Sequence, residues 1–140
     1  MQRYRARLSG PLLDRIDLQV LVPRLPPELL RSDAPRGEST AAVRARVLAA
    51  RASQLSRAGK TNAALSQAET ERDCRLGRPE QRTLEQAMAK LMLSARATQR
   101  ILRVARTIAD LAGAVEIEGK HLREAIGYRQ LDRGLQRPAA

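Results

Sequence analysis

Phenylalanine and tryptophan are absent from this 140-residue chain, and Tyr4 and Tyr128 are its only aromatic residues. A single-strand nucleic-acid binder that stacks bases needs aromatic rings, so that mode of recognition is excluded. One cysteine, Cys74, excludes an internal disulfide framework and a Cys-rich zinc site, and it points to a reducing compartment. One histidine, His121, excludes multi-histidine metal chemistry. No apolar run reaches the roughly 18 residues of a membrane span. The basic start, MQRYRARLSG, lacks the apolar stretch of a secretory signal. Lysine is scarce as well: Lys60, Lys90 and Lys120 are the three among 26 basic residues.

What is present is positive charge. The 26 Lys+Arg stand against 15 Asp+Glu, a formal net charge of +11. That balance favours polyanionic partners: nucleic acid, nucleotide phosphates or an acidic protein face. The excess of arginine over lysine, with abundant Ala and Leu, is also what a GC-rich genome produces. At 15.5 kDa one core buries roughly two-thirds of the surface of the unfolded chain, so no staple is needed.

Along the chain the character changes three times. Residues 1–24 are a basic lead-in, then Pro11 opening a short helical turn, then the alternating run Ile16 to Val22, which predicts one strand. A lone strand leaves its ladder groups unsatisfied, so pairing partners are expected upstream. Residues 25–38, with Pro26, Pro27, Pro35 and Gly37, read as a linker. From Ser39 the pattern is helical. A helix over 39–58 places Val43, Val47, Ala50 and Leu55 on one face, and Gly59 stops it. A short helix over 62–73 carries Leu65. Pro79 opens a helix through Leu93, with Leu84, Ala87, Met88 and Leu91 along one face. Ser94 caps the most periodic helix, 95–112, whose stripe is Ala97, Ile101, Val104, Ala105, Ile108 and Leu111. A last helix over 120–130 buries Leu122, Ala125 and Ile126, and residues 131–140 read as a flexible tail. The expected fold is mainly α, a small helical bundle.

Gly59-Lys60-Thr61 has the ending of a phosphate-binding loop, but the loop needs Gly where Gln54 stands, and a strand where an arginine-rich helix stands. It is a helix stop. With no Walker A or Walker B sequence, the chain is not expected to hydrolyse ATP alone. Arg15 in Leu12-Leu13-Asp14-Arg15-Ile16-Asp17 has two readings: a guanidinium held toward phosphate, or a local surface ion pair. Arg96, Arg100 and Arg103, with Arg106 nearby and Asp110 closing the row, form a polar stripe away from Ala97, Ile101 and Ile108. Arg96 opposes the helix dipole, which makes sense where an anion visits; a solvated face is the other reading. His121 reads as a surface or capping residue, and Cys74 as a structural thiol.

The segment YRARLSGPLLDRIDLQVLVPR, Tyr4 to Arg24, resembles a signature of magnesium-chelatase-like AAA+ ATPases of the ComM (YifB) type. LSARATQRILRVARTIADLAG, Leu93 to Gly113, and HLREAIGYR, His121 to Arg129, are similar to the same family's C-terminal region, as is Arg57 to Ala63. The resemblance implies a C-terminal piece of a longer protein. Residues 1–24 would be the remnant of the α/β ATPase core, 25–38 the connection, 39–130 the helical lid and 131–140 a tail. It implies that Arg15 is an arginine finger reaching the neighbouring subunit's nucleotide. Arg96 would be the sensor-2 residue, with Arg100 and Arg103 as further nucleotide-binding candidates. It further implies ATP and Mg2+ as cofactors of the full-length protein, none held by this chain alone. The expected partners are the subunits of a homo-oligomeric, hexameric ring, and DNA in recombination or natural transformation, in the cytoplasm and without a membrane. The alternative is a basic module gripping duplex DNA phosphates without nucleotide chemistry.

Overall fold

The structure, a computed structural model, describes residues 15–20, 22–24, 26–27 and 37–129. Among these are five helices: α1 (Thr40–Ala58), α2 (Gln67–Asp73), α3 (Arg78–Leu91), α4 (Ala95–Leu111) and α5 (Gly119–Gly127), with a 3-10 turn Asn62–Ala64 between α1 and α2. The architecture is mainly α, as the periodicity predicts. No described helix is long and apolar enough to cross a membrane. Pro11, the tail 131–140, Tyr4 and most of the proline-rich stretch lie outside the described residues.

Each helix begins and ends for a local reason. Ser39, Ser66 and Ser94 accept hydrogen bonds from amides three residues on, at 3.2, 3.3 and 3.1 Å. Each thereby satisfies one of the donors a helix start leaves open. At Ser66 the cap is reciprocal, because the Ser66 amide donates to Glu69 Oε2 at 2.7 Å. Gly59 (φ 67°) and Gly113 (φ 68°) take the left-handed conformation that ends α1 and α4. After α4 the amides of Gly113 and Ala114 return to the carbonyls of Asp110 and Ala109, closing a Schellman turn. Met92 ends α3 in the same left-handed region without being glycine (φ 48°).

Helix α4 is the axis of the bundle. It packs against α1, the 3-10 turn, α2 and α5, while α3 packs on α5. Ala97, Ala105 and Ala109 are fully buried on its stripe, and their small side chains let neighbouring helices approach closely. Ile101 and Leu122 fill the space between α4 and α5; burying each contributes about 1.5–3 kcal/mol. Leu65, Cys74, Leu84 and Ile117 complete the core. Leu76 and Ile117 form one parallel bridge that ties the entry of α3 to the entry of α5.

Three expectations are corrected, and of the two readings of His121 the capping one holds. The run 16–22 is not a strand among its described residues: it is an extended strap whose Ile16, Leu18, Val20 and Val22 side chains are exposed. Among the described residues no neighbouring strand supplies a ladder there, and alternation alone does not create one. The α1 face is also largely uncovered. Val43, Val47 and Leu55 are exposed and only Ala50 and Gln54 are buried, because only part of α1 lies against the other helices. The stretch 62–73 splits into a 3-10 turn and α2, since the Ser66 cap starts the helix at Gln67. Finally, His121 is not at the surface. It is 2% exposed and its Nδ1 accepts the Glu118 amide at 3.1 Å, so it caps α5 from the inside.

Candidate functional site

The polar row of α4 divides in two. Toward the C-terminal end, Arg106 and Asp110 are buried, contrary to the expected solvated stripe. The cause is chain that comes back over the helix. After the Gly113 turn, the carbonyls of Ala114 and Val115 accept from Arg106 Nη2 and Nη1 at 2.7 and 2.8 Å. Arg106 Nε donates to Asp110 Oδ1 at 3.1 Å. From the other side Arg57 of α1 grips both Asp110 oxygens, at 2.9 and 2.7 Å, and Asn62 donates to Oδ2 at 2.8 Å. Asn62 also donates to Thr107, and its amide donates to Gln54 Oε1. Burial raises the Asp110 pKa, but the hydrogen bonds from Arg57 and Asn62 and the charges of Arg106 and Arg57 outweigh it, leaving it below the ordinary carboxylate value. A buried carboxylate compensated on every side is a structural lock.

This network also explains Gly59-Lys60-Thr61. Gly59 ends α1, Lys60 pairs with Glu69 at 2.8 Å and Thr61 precedes the 3-10 turn. The turn delivers Asn62 to Asp110. The segment holds the fold rather than a phosphate. Cys74 is buried and its thiol is pushed up to about 11 by that burial, a structural and unreactive group.

Toward the N-terminal end of α4 the arginines are arranged differently. Arg96 is exposed in the first turn and has no hydrogen bond or ion pair among the described residues. One turn on, Arg100 Nη1 donates to the Arg15 carbonyl at 3.0 Å and pairs with the Asp17 carboxylate. Arg103 Nη1 donates to the Ala63 carbonyl at 3.3 Å. The Nε atoms of Arg100 and Arg103 are buried without a hydrogen-bond partner. Both side chains line a cleft of about 310 Å³ between the strap and α4, with Leu18, Val104 and Ile108 as apolar walls and Tyr128 opposite. The Tyr128 hydroxyl donates to Glu124 at 3.0 Å, and that bond raises its pKa.

The strap is anchored to α5 as well. Arg129, 1% exposed, donates through Nη1 to the Ile16 carbonyl at 2.6 Å, and the Gln19 amide donates to the Tyr128 carbonyl at 2.9 Å. Arg15 itself is exposed, with its side chain unpartnered among the described residues. Of the four arginines singled out in the sequence, Arg15 and Arg100 are therefore joined through one hydrogen bond. Arg96 lies a turn beyond, and Arg103 lies on the cleft wall. Asp17 and Arg129 hold this arrangement together; the sequence offers Asp17 as a local partner for Arg15, whereas the structure pairs it with Arg100, and the ending of HLREAIGYR is the only signal for Arg129. Facing an anion, the exposed guanidiniums of Arg15 and Arg96 offer unpaired planar donors. The amides of Ala95 and Arg96 in the first turn of α4, which have no intrahelical acceptor, add to them, while that of Ala97 is taken by Ser94. Among the described residues no group of three or more His, Cys, Asp or Glu side chains is placed to hold a metal ion.

Residues 37–129 match the family described as magnesium chelatase, subunit ChlI C-terminal, and residues 1–30 match magnesium chelatase, subunit ChlI. Competence protein ComM of Haemophilus influenzae is 52% identical over 137 residues, which are 98% of this chain and 27% of that protein. The uncharacterized protein YifB of Salmonella typhimurium is 48% identical over 131 residues, 94% of this chain and 26% of that protein. YifB of Escherichia coli is 47% identical over the same number, with the same shares. The chain thus spans about a quarter of the length of these relatives.

Proposed function

The chain belongs to the magnesium chelatase subunit ChlI C-terminal family, and on that footing we propose that it is the lid of an AAA+ ring ATPase that acts on DNA. Residues 39–130 form the lid, 25–38 the connection and 1–24 the end of the ATPase core. The observation that carries the reading is the pair of guanidiniums, Arg15 and Arg96, that have no partner among the described residues, one bonded through its carbonyl to Arg100 and the other one turn from Arg100 on the same helix. In this reading Arg96 contacts the phosphates of nucleotide held by its own subunit. Arg15 reaches the nucleotide of the neighbouring subunit and stabilises charge in the transition state. Arg100 and Arg103 line the cleft behind them, each with a donor still unpaired.

The residues present fit phosphate: planar cations and open first-turn amides, with no carboxylate bonded to Arg15 or Arg96 among the described residues. Among the described residues no group of three or more His, Cys, Asp or Glu side chains is placed to hold Mg2+, and the contribution proposed for Arg15 and Arg96 is to the anion. ATP with Mg2+, when bound to the whole protein, supplies the phosphoryl transfer that drives the ring. The DNA role takes its support from the likeness to a competence protein. It is also supported by exposed arginines on α1 and α3, Arg44, Arg51, Arg78 and Arg82, that are free to meet phosphates. Binding of that kind is expected to weaken steeply with salt. A basic module that grips DNA without nucleotide chemistry would show the same salt dependence but no effect of Arg15 or Arg96 on hydrolysis.

The test uses the full-length protein. Arg15→Ala is expected to lower ATP turnover at least about a thousandfold. Mixing with Walker-defective subunits, which still carry Arg15, restores it. Arg96→Ala lowers turnover without such rescue. Hydrolysis by the isolated chain, or full turnover by both variants, contradicts the proposal.

A further inference from the structure

We propose that Arg100 is a positioning residue for Arg15: its bonds to Asp17 and to the Arg15 carbonyl make the placement of Arg15 follow the placement of α4. The inference rests on the reading of Arg15 as an arginine that acts on the neighbouring subunit.

The turn that carries Arg15 has little apolar burial to hold it. Ile16, Leu18 and Val20 are 39%, 49% and 61% exposed, Gln19 is the one buried side chain of 15–20, and no strand ladder holds the described residues around them. Polar connections do the holding. From α4, one guanidinium nitrogen of Arg100 meets both the backbone oxygen of Arg15 and the carboxylate of Asp17. Next to the C-terminal end of α5, Arg129 takes the Ile16 carbonyl and the Tyr128 carbonyl takes the Gln19 amide. Helices α4 and α5 pack directly on each other through the core, so the strap is gripped by two elements of one packed unit.

Two details distinguish Arg100 from an ordinary surface ion pair, which contributes little. Its side chain is 23% exposed and its Nε is buried, so the bonds it makes are charge-assisted and partly shielded from water. It also bonds the main chain of the residue it positions, so a shift of the helix is passed on without slack through a flexible side chain on the other end. Arg96 lies four residues away, about 6 Å along a rigid helix. Engagement of Arg96 with phosphate and presentation of Arg15 are thereby linked within one subunit. To meet phosphate with Nη1, Arg100 would have to release Asp17 and the Arg15 carbonyl.

Two readouts on the full-length protein test this. Without nucleotide, Arg100→Ala is expected to raise amide exchange over residues 16–20 by about tenfold while α4 keeps its protection. Asp17→Asn removes the partner from outside the helix, on a half-exposed side chain; it is expected to do the same to a smaller degree, which separates a lost clamp from a damaged fold. In mixed rings with Walker-defective subunits, Arg100→Ala is expected to behave as Arg15→Ala does. Its turnover falls roughly 10- to 100-fold with KM for ATP within about twofold, and mixing restores it. A residue that touches its own subunit's nucleotide would not be restored by mixing. Unchanged exchange over 16–20, or loss of turnover that mixing restores for Arg15→Ala and not for Arg100→Ala, overturns the positioning role alone. Absence of rescue for Arg15→Ala itself overturns the underlying reading, and the positioning role falls with it.

Discussion

At the C-terminal half of α4, Arg106 directs all three guanidinium nitrogens to protein acceptors and is 3% exposed. At the N-terminal half, Arg96 is exposed with no protein partner among the described residues, and Arg100 and Arg103 each keep a buried Nε unpaired. The four arginines belong to one row in the sequence. Their surroundings, not their spacing, separate a structural lock from arginines whose donors the described residues leave open. The lesson is to ask of each arginine how many of its donors the protein already satisfies.

The comparison can be broken first at the lock. Asp110→Ala leaves Arg106 and Arg57 facing each other without their shared carboxylate, and breaking a buried pair in this way costs about 3–5 kcal/mol. Amide exchange across α4 and α1 measures it. A cost below about 1 kcal/mol would mean that the two halves are not different in kind.

The next effect is acid sensitivity. Glu69 has its pKa lowered to about 2, first by the hydrogen bond from Lys60 and then by those from Ser66. A carboxylate whose native pKa is depressed contributes stability above its unfolded pKa and loses it as pH falls through the native value. Protection of α2 is therefore expected to fall between pH about 4.5 and about 2. Asp110 is depressed too, so the lock is expected to weaken in the same direction. Lys60→Ala raises the Glu69 pKa and moves the loss of α2 protection to higher pH, which titration with exchange detection checks. The smallest effect is at Met92, 73% exposed in a left-handed conformation. Met92→Gly relieves strain and is expected to stabilise α3 by about 0.5–1 kcal/mol. It leaves both halves of α4 as they are.

Much of the bundle is legible in the sequence because its signals are local. Ser94, Gly59, Pro79 and Gly113 bracket the helices where the caps are found. The periodic stripe Ala97, Ile101, Ala105 is the buried face. What escapes the sequence is set by distant chain. Arg106 reads as surface because nothing near it announces that Ala114 and Val115 fold back over it, or that Arg57 and Asn62 arrive from α1 and the 3-10 turn. The apolar faces of 16–22 and of α1 have a correct local period but are covered only in part by the described residues, and period alone does not bury a side chain. At the candidate site, Arg15 and Arg96 are marked by resemblance; their connection through Arg100 and Asp17 spans more than 80 positions and no local pattern encodes it.

The division of α4 is tested most directly by Arg96→Ala in the full-length protein, with exchange protection of α4 and ATP turnover measured on the same preparation. Protection is expected to stay within about 0.5 kcal/mol of the parent, while turnover falls at least about tenfold. Loss of protection comparable to that of Asp110→Ala, with turnover per folded molecule unchanged, would contradict it and make Arg96 one more structural arginine.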